Sequence, residues 1–275
     1  MSGEREEINC YGPLMARESP DPFSVAGRRA VIVGGTAGIG SAVARHLREA
    51  GAEVVITGRR DDGGDVADRI GAVFVRMDVA DDASVSAGFE TIADAGAVDC
   101  LVLNAGIDEE HGEVGDLDLE VFARVLDINT MGLVRAMARG VGLMGSGGSV
   151  IVTSSPAGST TTPGMAAYSA SKAALDMLVR TWALELGPKG IRVNAVLPGI
   201  VESEMDSESS PDVELIRRMT ATGVHRKAHE MGPVFQFLAS DASVTLTGSL
   251  VGAHDGISIG YSHEVLAHLA ADLGD

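Results

Sequence analysis

A chain of 275 residues with 39 Asp and Glu against 21 Lys and Arg, a formal charge of −18, fits one large α/β domain and can bury a substantial core. That acidic balance repels phosphate backbones and anionic lipid headgroups, so neither a nucleic-acid nor a membrane partner is expected. Cys10 lies in a polar leader and Cys100 in an apolar strand, so no disulfide is expected; with no secretory h-region or membrane-length apolar run, the chain reads as soluble and cytoplasmic.

Residues 1–27 hold three of the nine prolines and show no clear period, which predicts an irregular leader. From Arg28 onward, β-branched runs alternate with amphipathic segments. Strands are predicted at Ala30–Val33, Glu53–Thr57, Val73–Val75, Asp99–Leu103, Ser149–Thr153 and Arg192–Val196, with a helix from Ser41 to Ala50 between the first two. A helix from Met165 to Leu186 carries Leu175, Leu178, Val179, Trp182 and Leu186 at spacings of three and four, a stripe that packs against a sheet or a sister subunit. Another follows at Met231–Ala239. Repeated βαβ units with apolar strands predict an α/β fold, a doubly wound parallel sheet in a single domain over residues 28–260. Val265, Leu266, Leu269 and Leu273 then make residues 261–275 a helical tail that needs a partner surface.

Between the first strand and first helix the chain reads Gly34-Gly35-Thr36-Ala37-Gly38-Ile39-Gly40. Glycines there let the backbone approach a dinucleotide pyrophosphate, and the helix N-terminus offers free N–H groups to the phosphates. About twenty residues on, an acid would bind a free ribose 2′-hydroxyl and a base a 2′-phosphate. Gly58 stands in the acid's place and Arg59 follows, so NADP(H) is favoured over NAD(H), although Asp61 and Asp62 keep the latter open. Tyr168 and Lys172 are four residues apart on one helix face, so the ammonium can sit beneath the phenol and bring its acidity towards neutrality. Ser155 lies thirteen residues upstream. That set suits carbonyl reduction, and no group of residues has metal-ligand spacing.

The glycine turn, Asp78-Val79, Asn104-Ala105-Gly106, Asn129, Ser155, Tyr168, Lys172 and Pro198-Gly199 resemble, in order and spacing, the short-chain dehydrogenase/reductase family in its compact form, from about residue 28 to 257. The resemblance implies a Rossmann-like fold and interconversion of a small-molecule ketone and a secondary alcohol. It implies that Asp78 and Val79 hold the adenine, that Asn104 to Gly106 close over the adenosine and support the sheet, and that Val201 and Ser203, after Pro198-Gly199, hold the nicotinamide carboxamide. It further implies that Tyr168 is the general acid/base, Ser155 orients the substrate oxygen, Lys172 binds the nicotinamide ribose, and Asn129 holds a water near the lysine; locally, an Asn within a helix also fits a residue that satisfies a backbone group. Helices over Asn129–Val141 and Met165–Leu186 resemble the family's subunit interfaces, so a homodimer or homotetramer is expected. The substrate lid is expected over 202–226, with Ser159, Thr160 to Thr162 and Met165 near the reacting carbon. The acidic runs at 202–208 and 108–111 read as solvated loops in an acidic protein.

The chain departs from the family at Val33, where Thr is common, and at Asp255-Gly256-Ile257, where Asp-Gly-Gly is common. Two alternatives carry a different function on the same fold: a dinucleotide-binding sensor or scaffold without turnover, and an epimerase or dehydratase that keeps its cofactor bound.

Overall fold

The structure, a computed structural model, describes residues 21–109, 112–202 and 211–273. Its elements run β1 (Arg29–Val33), α1 (Gly38–Glu49), β2 (Glu53–Gly58), α2 (Gly63–Ile70), β3 (Val73–Arg76), α3 (Asp82–Ala93), β4 (Val98–Leu103), α4 (Leu119–Leu126), a π-helical segment (Asp127–Met131), α5 (Gly132–Gly140), β5 (Met144–Thr153), α6 (Ala166–Leu186) and β6 (Arg192–Pro198). There follow β7 (Val201–Glu202), α7 (Pro211–Met219), β8 (Arg226–Lys227), α8 (Gly232–Ala239), β9 (Leu250–Ala253) and α9 (His263–Leu273).

Among the described residues, seven strands form one parallel sheet in the order β3-β2-β1-β4-β5-β6-β9. Side chains alternate faces along a strand, so Val31, Val33, Leu101 and Leu103 enter one core, while Ala30, Ile32, Cys100 and Val102 enter the other. Leu175, Val179 and Leu186 of α6 are buried in the first core, with Leu178 and Trp182 packed against it, so the predicted stripe faces the sheet. Strand order reverses between β1 and β4, and the chain leaves these two strands in opposite directions. Their carboxyl ends open a crevice there, where a doubly wound sheet binds its ligand.

Several boundaries differ from the sequence reading for physical reasons. The first helix starts at Gly38 rather than Ser41, because the end of the glycine turn is already its first turn. The β5 strand begins at Met144, five residues early, since Met144 pairs with Val98 and the Gly-rich 145–148 run, which reads as turn chemistry, is taken up in the register shift before Cys100 pairs with Ser149. Asn129 lies in a π-helical segment rather than a regular helix. The leader's described end is tied down: Gln236 donates to the Phe23 carbonyl, and Phe23 packs near Phe237.

Helix α9 packs against α7, with the Ser262 hydroxyl donating to the Arg218 carbonyl. Asp255 adopts φ +50°, a left-handed backbone, and is held by Thr222 and by a two-pronged bond from Arg226. This clamp is what stands at the Asp255-Gly256-Ile257 departure. At the other departure, Val33 lies beside Thr57 in register, and the buried Thr57 hydroxyl has no partner among the described residues. Cys100 is a free, buried thiol whose pKa burial pushes up to about 12; Cys10 lies outside the described residues. No described helix is long and apolar enough to cross a membrane, and no described group of His, Cys, Asp and Glu has the arrangement of a metal site.

Candidate active site

A cleft of about 550 Å³ opens at the carboxyl ends of β1, β4, β5 and β6. Its first wall is the glycine turn: Gly34, Thr36, Gly38 and Ile39 line it. Gly34 has φ +83°, and a Cβ there would stand 2.6 Å from the Ala105 Cα, so the turn can close only on glycine. A Cβ on Gly40 would overlap the Gly34 carbonyl oxygen; Gly40 therefore lies behind the wall, as a packing residue, rather than facing the cleft. Above Gly38 the space is open. The helix that starts here has no side-chain cap and no acid in its first turn, which leaves its N–H groups and positive dipole end to an anion. The cradle fits a dinucleotide pyrophosphate.

The second wall is the tip of β2. A Cβ on Gly58 would lie 2.6 Å from Thr36 Oγ1, so Thr36 fills the space where an acid's side chain would begin. Asp62 is bound by Arg60 at 2.7 and 2.8 Å, and Asp61 by Arg76 at 2.7 Å. Arg59, which lines the cleft, makes no ion pair among the described residues. Asp78 and Val79 line the adjoining wall. Asn104 ties three strands together: its amide donates to the Gly34 carbonyl at 3.0 Å and its Oδ1 accepts from the Thr153 hydroxyl at 3.0 Å. Ala105 and Gly106 continue this wall.

Ser155, Tyr168 and Lys172 converge at the far end of the cleft. Ser155 caps a short 3-10 turn, accepting from the Ala157 N–H at 3.2 Å, and its hydroxyl is near enough to the Tyr168 phenol to act on its acidity. Tyr168 sits in the first turn of α6, and Lys172 one turn later places Nζ 5.4 Å from the centre of the tyrosine ring. Lys172 is only 4% exposed; its ammonium donates to the Thr153 carbonyl at 3.0 Å.

Burial dominates the electrostatics. It pushes Lys172 down to about 8, against the attraction of Asp176 and Asp108. The Tyr168 phenol is pushed above its ordinary value, first by burial; the nearby Ser155 side chain opposes this and the Asp108 carboxylate reinforces it. The i, i+4 spacing predicts a phenol brought towards neutrality by the lysine. The protein alone does the reverse, because burial, reinforced by the Asp108 carboxylate, outweighs the lowering effect of Ser155 on the phenol.

The remaining expected residues are distributed as follows. Asn129 is fully buried: Oδ1 accepts from the Ile107 N–H at 2.7 Å, and Nδ2 donates to the Ile107 carbonyl at 2.8 Å and to the Ser171 hydroxyl at 3.2 Å. It thus satisfies the backbone of a segment that lines the cleft, and through Ser171 it reaches the Tyr168 carbonyl at 2.6 Å. Pro198 and Gly199 line the cleft at the end of β6. Val201 stands on β7, packed against the core rather than in the cleft wall, and Ser203 lies outside the described residues, as do 203–210 of the expected lid and Glu110-His111. Sequence reasoning missed Thr153, which holds both Asn104 and Lys172, and Asp176, which bonds Ser154. The signal for Asp176 was its i+4 spacing from Lys172 on a buried face.

Comparison with known proteins agrees with this geometry. The family described as Enoyl-(Acyl carrier protein) reductase matches residues 34–258. Short-chain dehydrogenase reductase 5 of Arabidopsis thaliana is 36% identical over 85% of this chain and 95% of its own length. A chloroplastic NADPH-dependent aldehyde reductase-like protein of the same plant is 31% identical over 86% of this chain and 97% of its own. The crystal structure of a dehydrogenase/reductase from Sinorhizobium meliloti 1021 superposes with a TM-score of 0.81 at 30% identity, covering 86% of this chain and 97% of that one. With the glycine cradle, the switch-point cleft and the Ser155–Tyr168–Lys172 cluster on one sheet, the chain belongs to the short-chain dehydrogenase/reductase family of oxidoreductases.

Proposed function

We propose that this protein is an NADP(H)-dependent oxidoreductase that interconverts a ketone and a secondary alcohol, with Tyr168 as general acid/base. The observation that carries the reading is the convergence of Ser155 and Tyr168 beside the buried Lys172 ammonium, at one end of a cleft whose other end is a phosphate cradle. The nicotinamide cofactor, when bound, supplies or accepts the hydride. Tyr168 carries the proton: burial keeps its phenol protonated at neutral pH, so it is a ready acid for a carbonyl oxygen. Ser155 hydrogen-bonds the same oxygen and orients it. Lys172 supplies positive charge beside the developing phenolate. A sensor without turnover has no use for this set.

Cofactor choice follows from Arg59. Both nearby acids are engaged by other arginines, and Gly58 offers no carboxylate to a ribose hydroxyl, while the Arg59 guanidinium is available to a 2′-phosphate. Arg59→Ala weakens NADPH binding by about 10- to 100-fold, equivalent to about 1.5–3 kcal/mol for a charged hydrogen bond, and leaves NADH binding unchanged. Titration of both nucleotides by nicotinamide fluorescence checks this; equal losses for both contradict it. The reaction itself is tested by NADPH oxidation with a panel of ketones, quinones, keto sugars and keto esters.

A homodimer or homotetramer is proposed through the outer face of α6. Met177 and Leu184, seven residues apart and so on one stripe, are 58% and 81% exposed on the side away from the sheet. The double substitution Met177→Glu with Leu184→Glu is expected to give a monomer by light scattering; an unchanged mass places the interface elsewhere.

A further inference from the structure

One buried acid in the neighbourhood of the site has no part in the reaction just described. Asp176 follows Lys172 by one helical turn and shares its face of α6. It is 7% exposed, where an acid is found only when its oxygens are engaged. Its Oδ1 accepts from the Ser154 hydroxyl at 2.6 Å, and that same hydroxyl lies 3.5 Å from the Lys172 carbonyl. A second contact comes from Gly158. A Cβ there would stand 2.7 Å from Asp176 Oδ2 and 3.1 Å from the main chain at Lys172 and Ala173. The 154–158 segment, with Ser155 within it, therefore lies directly on the Lys172–Asp176 turn, and any side chain at 158 would lift it off.

We propose that Asp176 is a positioning residue: it docks the Ser155 segment onto α6 through Ser154 and Gly158, and it is the buried counter-charge of Lys172. The role in turnover rests on the reading of Ser155, Tyr168 and Lys172 as the reacting set; the effect on Lys172 does not.

The surroundings of both groups support the pairing. Lys172 faces Asp176 from its own helix, Asp108 from the segment after β4, the Thr153 carbonyl from β5, and the ring of Tyr168. Burial draws its pKa to about 8, and Asp176 is the larger of the two opposing charges. Asp176 in turn faces Ser154, Arg180 and Lys172. Burial pushes its carboxyl above the ordinary range, and these three hold it down. Asp176 is thus the main counter-charge to the Lys172 ammonium as that group titrates. Replacing Asp176 by a neutral isostere leaves burial unopposed by its larger counterweight, and Lys172 must release its proton at lower pH.

The chain has three lysines, Lys172, Lys189 and Lys227, so labelling with ε-13C lysine gives three resolvable signals, and Lys172→Met assigns the one of interest. In the wild type that signal titrates near pH 8. Asp176→Asn lowers the proton affinity of Lys172 at least tenfold and leaves Lys189 and Lys227 unmoved. Ser154→Ala moves Lys172 in the same direction by less, because the carboxylate loses the hydrogen bond that helps keep it ionised; it serves as the test if the asparagine variant does not fold. A Lys172 signal unmoved in a folded Asp176→Asn protein, or in Ser154→Ala when that is the variant that folds, overturns the proposal. This titration needs no substrate, so its failure is separate from failure of the proposed reaction. With a ketone that is turned over, the alkaline limb of the rate profile shifts to lower pH in Asp176→Asn by the same amount, with cofactor affinity unchanged.

Discussion

Tyr168→Phe binds NADPH as the wild type does and loses turnover by about 10²- to 10⁴-fold, the usual contribution of a positioned general acid. The substitution removes one oxygen. The ring keeps its place in the first turn of α6 and beside the Lys172 ammonium, and the glycine cradle and Arg59 lie at the other end of the cleft. Ser155 keeps its bond from the Ala157 N–H, so the local turn persists. Cofactor affinity from fluorescence titration and kcat from NADPH oxidation separate the two effects. The pH profile adds a directional check: burial holds the phenol protonated, so carbonyl reduction is supported at neutral pH, and alcohol oxidation, which needs the phenolate, increases as pH rises. A phenylalanine variant that retains turnover would remove Tyr168 from the mechanism.

The second large effect is at Lys172, and it separates function from stability. Lys172→Met lowers turnover by about 10²-fold or more, because the cation beside the phenol is lost. Its effect on stability has a definite sign. The lysine titrates at 10.5 when unperturbed and at about 8 in the folded protein. Between those values the unfolded chain holds a proton that the folded chain has released, so the wild type gains stability as pH rises across that window, by about 3 kcal/mol in all. Below pH 8 both states are protonated and the full penalty for burying the ammonium is present. Methionine carries no such penalty. The difference in unfolding free energy, wild type minus variant, therefore rises by about 3 kcal/mol from pH 7 to 10.5, as measured by urea denaturation at matched pH values. A difference that stays flat would mean that Lys172 is not held in a low-dielectric site.

The sheet was legible because its central strands are buried on both faces and so read as continuous apolar runs, as in Ala30–Val33 and Cys100–Leu103. The site was legible for a related reason: each part of the chemistry needs a residue type at a strand end or helix start, such as glycine at 34, 38 and 40 and tyrosine four residues before lysine. Features set by tertiary contact were hidden. The extension of β5 back to Met144 depends on pairing with Val98, which outweighs four turn-forming residues. The two-residue strands β7 and β8 are too short to show any period. Neither the balance that raises the Tyr168 phenol nor the bond of Asp176 to Ser154 follows from spacing, since both depend on how deeply α6 is covered by the 154–158 segment. Asn129 is informative in both respects. Its place in the motif was evident, whereas its hold on the Ile107 backbone from a π-helical segment was visible only in the fold.

The most direct test of the proposed reaction follows the hydride itself. NADPH carrying deuterium at the transferable C4 position is incubated with the enzyme and the carbonyl panel, and products are analysed by mass spectrometry. The account predicts one deuterium on the carbinol carbon, one NADPH consumed per alcohol formed, and loss of both in Tyr168→Phe. Product formed without deuterium and without net NADPH consumption would contradict it and would point to an epimerase or dehydratase that keeps its cofactor bound.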